Sequence, residues 1–473
     1  MTRPFADLVL PAIRWDEKTG YEHARADIEK WQKLGVGGFI LFGGERAATT
    51  ALTKDLRDGA SGRSLLIASD LERGAGQQVK GLTSLPPLAA LATLGIEAIT
   101  RAATITAQEA RAVGINWALA PVCDLDLEPR NPIVQTRAFG SDAFDVAFFA
   151  SSWAMVCQAA GVLACAKHFP GHGRTTLDSH ATLPVVSAGR ELERDLMPFR
   201  RVIESRVATV MTAHVAFPAW DPSGVPATQS RTILREVLRK DLFFDGLIVT
   251  DALIMEGAKA GGSFTDGAMK SLLAGCDLLL YPPEPGEVIA AMERAAKGSH
   301  ALEIAIRDSA LRRERVLMGA AAPGVPDAQI AGYPAIGAEL CRRSIKVLRG
   351  DPPKLKGAVW LEIVDDDAGG PYPLPPRDAF ARELVRHDVA VLPNGQRVVL
   401  LFADVKSWKG RAGLSPESQV RLKSLVDAKT TVIVFGHPRR QVEIPGLGPV
   451  VCAWSGDEAM QRAAAQAMTH VSS

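Results

Sequence analysis

The sequence predicts an α/β fold: a (β/α)8 TIM-type barrel followed by a smaller C-terminal α/β sandwich domain. Three observations carry that prediction. Eight short, β-branched apolar runs recur between residues 8 and 281, separated by stretches long enough for a helix, which is the pattern of repeated βα units around a parallel sheet. Ionisable residues stand at or just beyond the ends of many runs. Near residue 320 the composition turns to a Pro/Gly/Ala stretch, and strand and helix signals resume after it.

The eight runs are Leu8 to Ala12, Gly37 to Phe42, Ser64 to Ser69, Asn116 to Val122, Gly161 to Ala166, Val207 to Ala213, Gly246 to Thr250 and Asp277 to Tyr281. Helix-like segments between them, with apolar residues three and four apart, are Tyr21 to Leu34, Gly95 to Val113, Ala143 to Ala160, Glu191 to Glu204, Thr232 to Lys240 and Gly267 to Ala274. Eight alternations fit one closed barrel. Another helix, Ala301 to Met318, precedes the stretch Gly319-Ala-Ala-Ala-Pro-Gly-Val-Pro-Asp, which marks a boundary. The expected division is a catalytic barrel over 1–320, a linker and connecting helix over 321–350, and an α/β domain over 351–473. In that last part the expected strands are Ala358 to Val364, Val398 to Phe402, Thr431 to Phe435 and Val450 to Trp454. The expected helices are Asp378 to Arg386, Pro416 to Ala428 and Asp457 to Met468.

Length and charge narrow the function classes. The 473 residues are long for one domain and comfortable for two. With 54 basic and 53 acidic side chains the net charge is +1, and no extended Lys/Arg run exists, so nucleic acid is not an expected partner. No stretch approaches the ~20 apolar residues of a membrane span, and the first residues lack a secretory apolar core. The expectation is a cytoplasmic protein with no membrane partner. Six scattered cysteines without a C-x-x-C motif read as buried reduced thiols.

The strand-end residues are Asp70, Asp124, Lys167 with His168, His214 and Asp251. In a parallel barrel all such ends open on one rim, so five strands would deliver acids and bases into one bowl. Three of the nine histidines fall in Lys167-His-Phe-Pro-Gly-His-Gly-Arg-Thr-Thr-Leu-Asp-Ser-His180. There Asp178 stands two residues before His180, close enough in a turn to orient the imidazole and stabilise its protonated form, which makes His180 a candidate general acid/base. A metal site is the rival reading of this loop, although no metal-binding helix spacing accompanies it. His172 reads as a brace for the loop. The other site is Gly246-Leu-Ile-Val-Thr-Asp251, where a buried strand ends in one carboxylate. That position suits a nucleophile and equally a helix N-cap.

These segments, together with Leu65 to Gly74, Ala120 to Asp124, Asn131 to Asp142 and Val210 to His214, resemble glycoside hydrolase family 3, in its β-N-acetylglucosaminidase branch. The resemblance implies a retaining hydrolase that releases terminal GlcNAc from cell-wall fragments or chitooligosaccharides through a covalent glycosyl-enzyme intermediate. It implies Asp251 as nucleophile, His180 with Asp178 as acid/base, and Asp70, Arg137, Lys167 and His168 as holders of the sugar hydroxyls. The implied partner is a small carbohydrate, with no cofactor or metal, and the oligomeric state stays open. A β-glucosidase or β-xylosidase, a GlcNAc phosphorylase, and a non-catalytic sugar-binding protein are the alternatives. The chain departs from the pattern of smaller bacterial members in three ways. Ala75 stands where an arginine is expected, with Arg73 nearby as a possible substitute, Ala252 follows the nucleophile in place of a second Asp, and an extra domain is present.

Overall fold

The computed structural model describes residues 5–179, 181–259, 261–370, 374–406 and 409–469. Its first sheet is built from β1 (Val9–Leu10), β2 (Ala12–Arg14), β3 (Gly38–Phe42), β4 (Leu66–Ser69), β5 (Trp117–Ala118), β6 (Leu163–Phe169), β7 (Thr209–Thr212), β8 (Leu247–Thr250) and β9 (Leu279–Leu280). Strands β2 to β8 pair in sequence order, all parallel. β9 pairs with β1, and the Thr250 N–H donates to the Leu278 carbonyl, so the sheet curls back on itself. The predicted first strand is thus split at Pro11, which has no N–H to give to a ladder. Parallel strands covered by helices on the outside and by each other's side chains within are apolar on both faces. β6 shows this plainly, since all seven of its residues are buried.

Helices follow the strands as the spacing predicts, among them Arg25–Leu34, Ile96–Ala112, Ala143–Ala159, Met197–Glu204, Thr232–Asp241 and Phe264–Ala274. Two of these helices start on side-chain caps. The Asp142 carboxylate accepts from the Phe144 and Asp145 N–H groups, and Ser263 and Asp266 cap each other reciprocally.

The second sheet contains β10 (Lys346–Arg349), β11 (Ala358–Asp365), β12 (Ala390–Val391), β13 (Gln396–Ala403), β14 (Thr431–Gly436) and β15 (Val450–Cys452), in the order β10-β15-β14-β13-β11-β12. All pairs are parallel except β10 with β15. Helices Ala379–Arg386, Pro416–Leu425 and Glu458–Thr469 lie against it, with separate apolar clusters under its two faces. A further cluster joins the two sheet systems: Ala90 from the barrel side packs with Cys341, Cys452, Trp454 and Met460. The Trp454 indole N–H donates at 2.6 Å to the carbonyl of Ser344, which ends the helix Tyr333–Ser344 leading into β10.

Candidate active site

The C-terminal ends of the barrel strands open on a cavity of about 300 Å³ lined by Asp70, Arg137, Lys167, His168, His172, Ser179 and Asp251, with Arg14, Phe42, Met255 and Tyr281 opposite. The volume lies at the small end of ligand pockets, which suits one ring better than a chain. A larger cavity of about 860 Å³ sits at the opposite, N-terminal end of the barrel among Arg200, Phe244 and Arg315, and holds none of these groups.

One wall is a closed charge network. Lys167 ends up 2 % exposed near the end of β6 and reaches Asp70 at 2.8 Å and Glu72 at 2.7 Å. The Arg137 guanidinium grips Glu72 with two nearly parallel bonds of 2.8 and 2.9 Å. Two carboxylates thus face two cations, with Lys167 and Glu72 buried and Asp70 and Arg137 partly exposed. Burial works against the Glu72 charge, but Arg137 and Lys167 outweigh it and hold the carboxyl well below the usual range. The same pairing outweighs burial at Arg137 and Lys167 and raises both.

Beneath this wall Asp124 organises the loop after β6. Its carboxylate lies 2.7 Å from His168 Nδ1 and accepts the backbone N–H groups of His168 and His172, the latter at 2.6 Å. The His172 ring is closed off on both sides, with Nδ1 2.7 Å from Thr175 Oγ1 and Nε2 3.1 Å from Ser179 Oγ. Burial pushes its pKa down to about 4, so it stays neutral at physiological pH. His172 is a brace, as its sequence context predicts. Gly173 is required by close approach, because a Cβ there would stand 1.8 Å from the Leu125 carbonyl oxygen.

Asp251 follows β8 directly. Its carboxylate accepts the Ala252 N–H at 2.7 Å, and the flanking backbone is tied to β9 by Leu253 N–H to Leu280 O and by Leu280 N–H to Thr250 Oγ1. The carboxylate is thereby held rigidly at the cavity floor. The opposite wall carries Arg14, whose guanidinium lies 4.2 Å from the Phe42 ring centroid and donates to the Tyr281 hydroxyl at 3.0 Å.

Five sequence-predicted residues thus meet in one cavity: Asp70, Arg137, Lys167, His168 and Asp251. Asp178 is buried beside it, its carbonyl accepting from the Ala181 and Thr182 N–H groups, while its neighbour Ser179 reaches the cavity and also accepts the Gly257 N–H. His180 lies outside the described residues. The strand-end residue His214 does not line the cavity. It is fully buried, with Nδ1 3.0 Å from the Thr228 hydroxyl. Arg73 does not substitute for the arginine expected at position 75 either, because it donates to Ser455 and Asp457. Among the described residues no group of three or more His, Cys, Asp or Glu is arranged to hold a metal ion. Sequence reasoning missed Glu72, and the available signal was its alternation with Asp70 just past a strand.

Comparison with known proteins agrees with this geometry. Residues 6–317 match the glycosyl hydrolase family 3 N-terminal domain. A β-hexosaminidase of Photobacterium profundum is 36 % identical over 301 residues, 62 % of this chain and 87 % of that protein. A β-N-acetylglucosaminidase/β-glucosidase of Cellulomonas fimi is 37 % identical over 260 residues, and the match spans 52 % of this chain and 46 % of that longer protein. A solved family 3 β-N-acetylglucosaminidase from a Paenibacillus species superposes with a TM-score of 0.84 at 28 % identity, covering 99 % of this chain and 96 % of the other. The match over most of the barrel, with acids, cations and a rigid strand-end carboxylate gathered in one cavity, means that the chain belongs to glycosyl hydrolase family 3.

Proposed function

We propose that the chain is a retaining exo-β-N-acetylglucosaminidase. The observation that carries this is the cavity itself, in which Asp251 stands on a rigid strand end facing the Asp70–Glu72–Arg137–Lys167 network in a space suited to one sugar ring. Asp70, Arg137, Lys167 and His168 hold the hydroxyls of a terminal sugar. Asp251 attacks the anomeric carbon while His180, oriented by Asp178, gives its proton to the departing glycosidic oxygen. His180 then takes a proton from water, which displaces Asp251 and releases the sugar with its configuration retained. Preference for GlcNAc rests on the names of the relatives, which include β-hexosaminidases and an enzyme named for both GlcNAc and glucose. The natural sources are cell-wall fragments or chitooligosaccharides, consistent with a role in peptidoglycan recycling.

No helix among the described residues is long and apolar enough to cross a membrane. All six cysteines are buried free thiols, which supports a reducing, cytoplasmic setting.

The test compares nitrophenyl β-glycosides of GlcNAc, glucose and xylose, with and without inorganic phosphate. GlcNAc release should exceed the others in kcat/KM and be independent of phosphate. Faster turnover of the glucoside, or formation of a sugar 1-phosphate, would overturn the assignment.

A further inference from the structure

Both rim loops that carry the sugar-facing network reach across to the second sheet system. The first loop runs from Asp70 through Glu72 to Arg73, whose guanidinium donates to Ser455 Oγ at 2.6 Å and to Asp457 at 2.9 Å. Ser455 and the Gly456 N–H in turn donate to Asp404 at 3.1 Å each. The second loop, residues 124–137, sends Asp126 the other way. That carboxylate lies 3.1 Å from His437 Nε2 and is paired with the Arg439 guanidinium. The Arg439 backbone N–H donates to His437 Nδ1 at 3.1 Å. Nδ1 is therefore unprotonated, and Nε2 is the nitrogen that donates to Asp126. Burial keeps His437 below its ordinary pKa, in keeping with a neutral ring. It also opposes the Asp126 charge, which His437 and Arg439 nevertheless hold in the ionised form.

Asp126 sits amid contacts that set the cavity. Two residues before it, Asp124 fixes His168 and His172, and the Leu125 carbonyl packs on Gly173. Just after it the Glu128 N–H donates to Gly173 O, the Asn131 amide to His172 O at 2.8 Å, and Arg137 grips Glu72. A shift of Asp126 moves the floor under the loop 167–179 and the sugar-facing guanidinium together. None of Asp126, His437, Arg439 and Asp457 lines the cavity, and Arg73 lines only the adjoining one that Asp70, Glu72 and Arg137 share with Asp404 and Lys406.

We propose that the second sheet system positions the catalytic centre through these two clamps, Arg73 on Ser455 and Asp457, and Asp126 on His437 and Arg439. The clamp residues are positioning residues, and stripping Asp126 of its partners leaves a buried carboxylate uncompensated, a change that forces the loop to move. The activity arm of the test rests on the glycosidase reading, and the exchange arm stands without it.

The variants Arg73→Ala, Arg439→Ala, His437→Gln and the double variant His437→Ala/Arg439→Ala are compared by hydrogen-exchange mass spectrometry and by steady-state kinetics on nitrophenyl GlcNAc. In the double variant, amides of 124–137 should exchange at least about tenfold faster while those of β6 and β7 keep their rates, and kcat/KM should fall at least tenfold. His437→Gln, whose amide still donates to Asp126, should stay within threefold of the parent. Arg73→Ala should raise KM severalfold with kcat nearly constant, because that clamp touches only the binding wall. A contact that merely stabilised the fold would reduce the active fraction, lowering kcat and leaving KM unchanged. Unchanged exchange over 124–137 in the double variant would refute the Asp126 clamp, and so would Arg439→Ala at parental exchange if the double variant fails to fold. Parental KM in Arg73→Ala would refute the other clamp. Absence of glycosidase activity in the parent chain sinks the proposed function while the exchange result still decides this inference.

Discussion

Replacing Glu72 with Gln tests the charge network most directly. The carboxylate is 6 % exposed and takes three charge-assisted hydrogen bonds, two from Arg137 at 2.8 and 2.9 Å and one from Lys167 at 2.7 Å. Glutamine keeps the shape but has one acceptor oxygen, and its NH2 must face a cation that also donates. The variant loses a negative charge in a site where two carboxylates balance two cations, so one positive charge remains uncompensated. Breaking a buried pair in this way costs about 3–5 kcal/mol. Because Arg137 and Lys167 are held in place by Glu72, most of that loss should appear in substrate binding and turnover. Even 3 kcal/mol corresponds to roughly a 150-fold drop in kcat/KM. Steady-state kinetics on nitrophenyl GlcNAc reads it, with urea unfolding as the companion measurement. Glu72 has a folded pKa below that of the unfolded chain, so its stabilising contribution is present above the unfolded value of about 4.3 and is lost only below it, as pH falls toward the folded pKa. The stability gap between Glu72→Gln and the parent should therefore hold from pH 7 down to that value and narrow at more acid pH. A variant within threefold of parental kcat/KM and with an unchanged urea midpoint at pH 7 would refute the network as described.

Four further outcomes are expected. Asp251→Ala should lower turnover by more than about a thousandfold without loss of fold, as expected for removal of a group that forms the covalent bond, and a 2-fluoro sugar should label the peptide containing Asp251 in the parent only. His180→Ala should slow glycosides with poor leaving groups far more than nitrophenyl glycosides, since only the former need the proton, and equal losses on both would refute the acid role. His172 is buried with a pKa of about 4, so it binds fewer protons folded than unfolded between pH 6.5 and 4, and stability should fall as pH drops through that window. His172→Gln should flatten that slope in urea titrations without removing the neutral limb of the pH–rate profile. A chelator should leave turnover unchanged, and its loss with recovery on adding zinc would revive the metal reading of the histidine loop.

The barrel was legible because its strands are buried on both faces and read as unbroken apolar runs, as from Leu163 to Ala166. In two of the runs that overshot, a proline lies within the run. The run from Asn116 to Val122 contains a regular strand of only Trp117–Ala118, since Pro121 offers no N–H to the ladder. Strand-end logic located Asp70, Lys167, His168 and Asp251 in one cavity because topology alone delivers those positions to one rim. The same logic failed for His214 and Asp124, neither of which lines the cavity: His214 is fully buried with Nδ1 3.0 Å from the Thr228 hydroxyl, and Asp124 is buried against His168 and His172. Glu72 escaped notice for the opposite reason. Beside Arg73 in a loop it looks like a solvated acid, and its partner Arg137 is 65 residues away.

The fate of Arg73 shows why such contacts resist reading from one dimension. Position 75 holds a fully buried alanine, and the nearby arginine is committed 382 and 384 residues downstream, to Ser455 and Asp457. The cations that do line the cavity are Arg14, Arg137 and Lys167, drawn from three separate strands or loops. Arg73 is thus spent on fixing the loop that presents Glu72, and Glu72 in turn fixes Arg137 and Lys167. The second sheet system, whose Asp404 and Lys406 line an adjoining cavity together with Asp70, Glu72 and Arg137, can in this way set the affinity for the sugar. Through this clamp its influence passes by one residue step from Arg73 to Glu72, and the KM of Arg73→Ala measures that step.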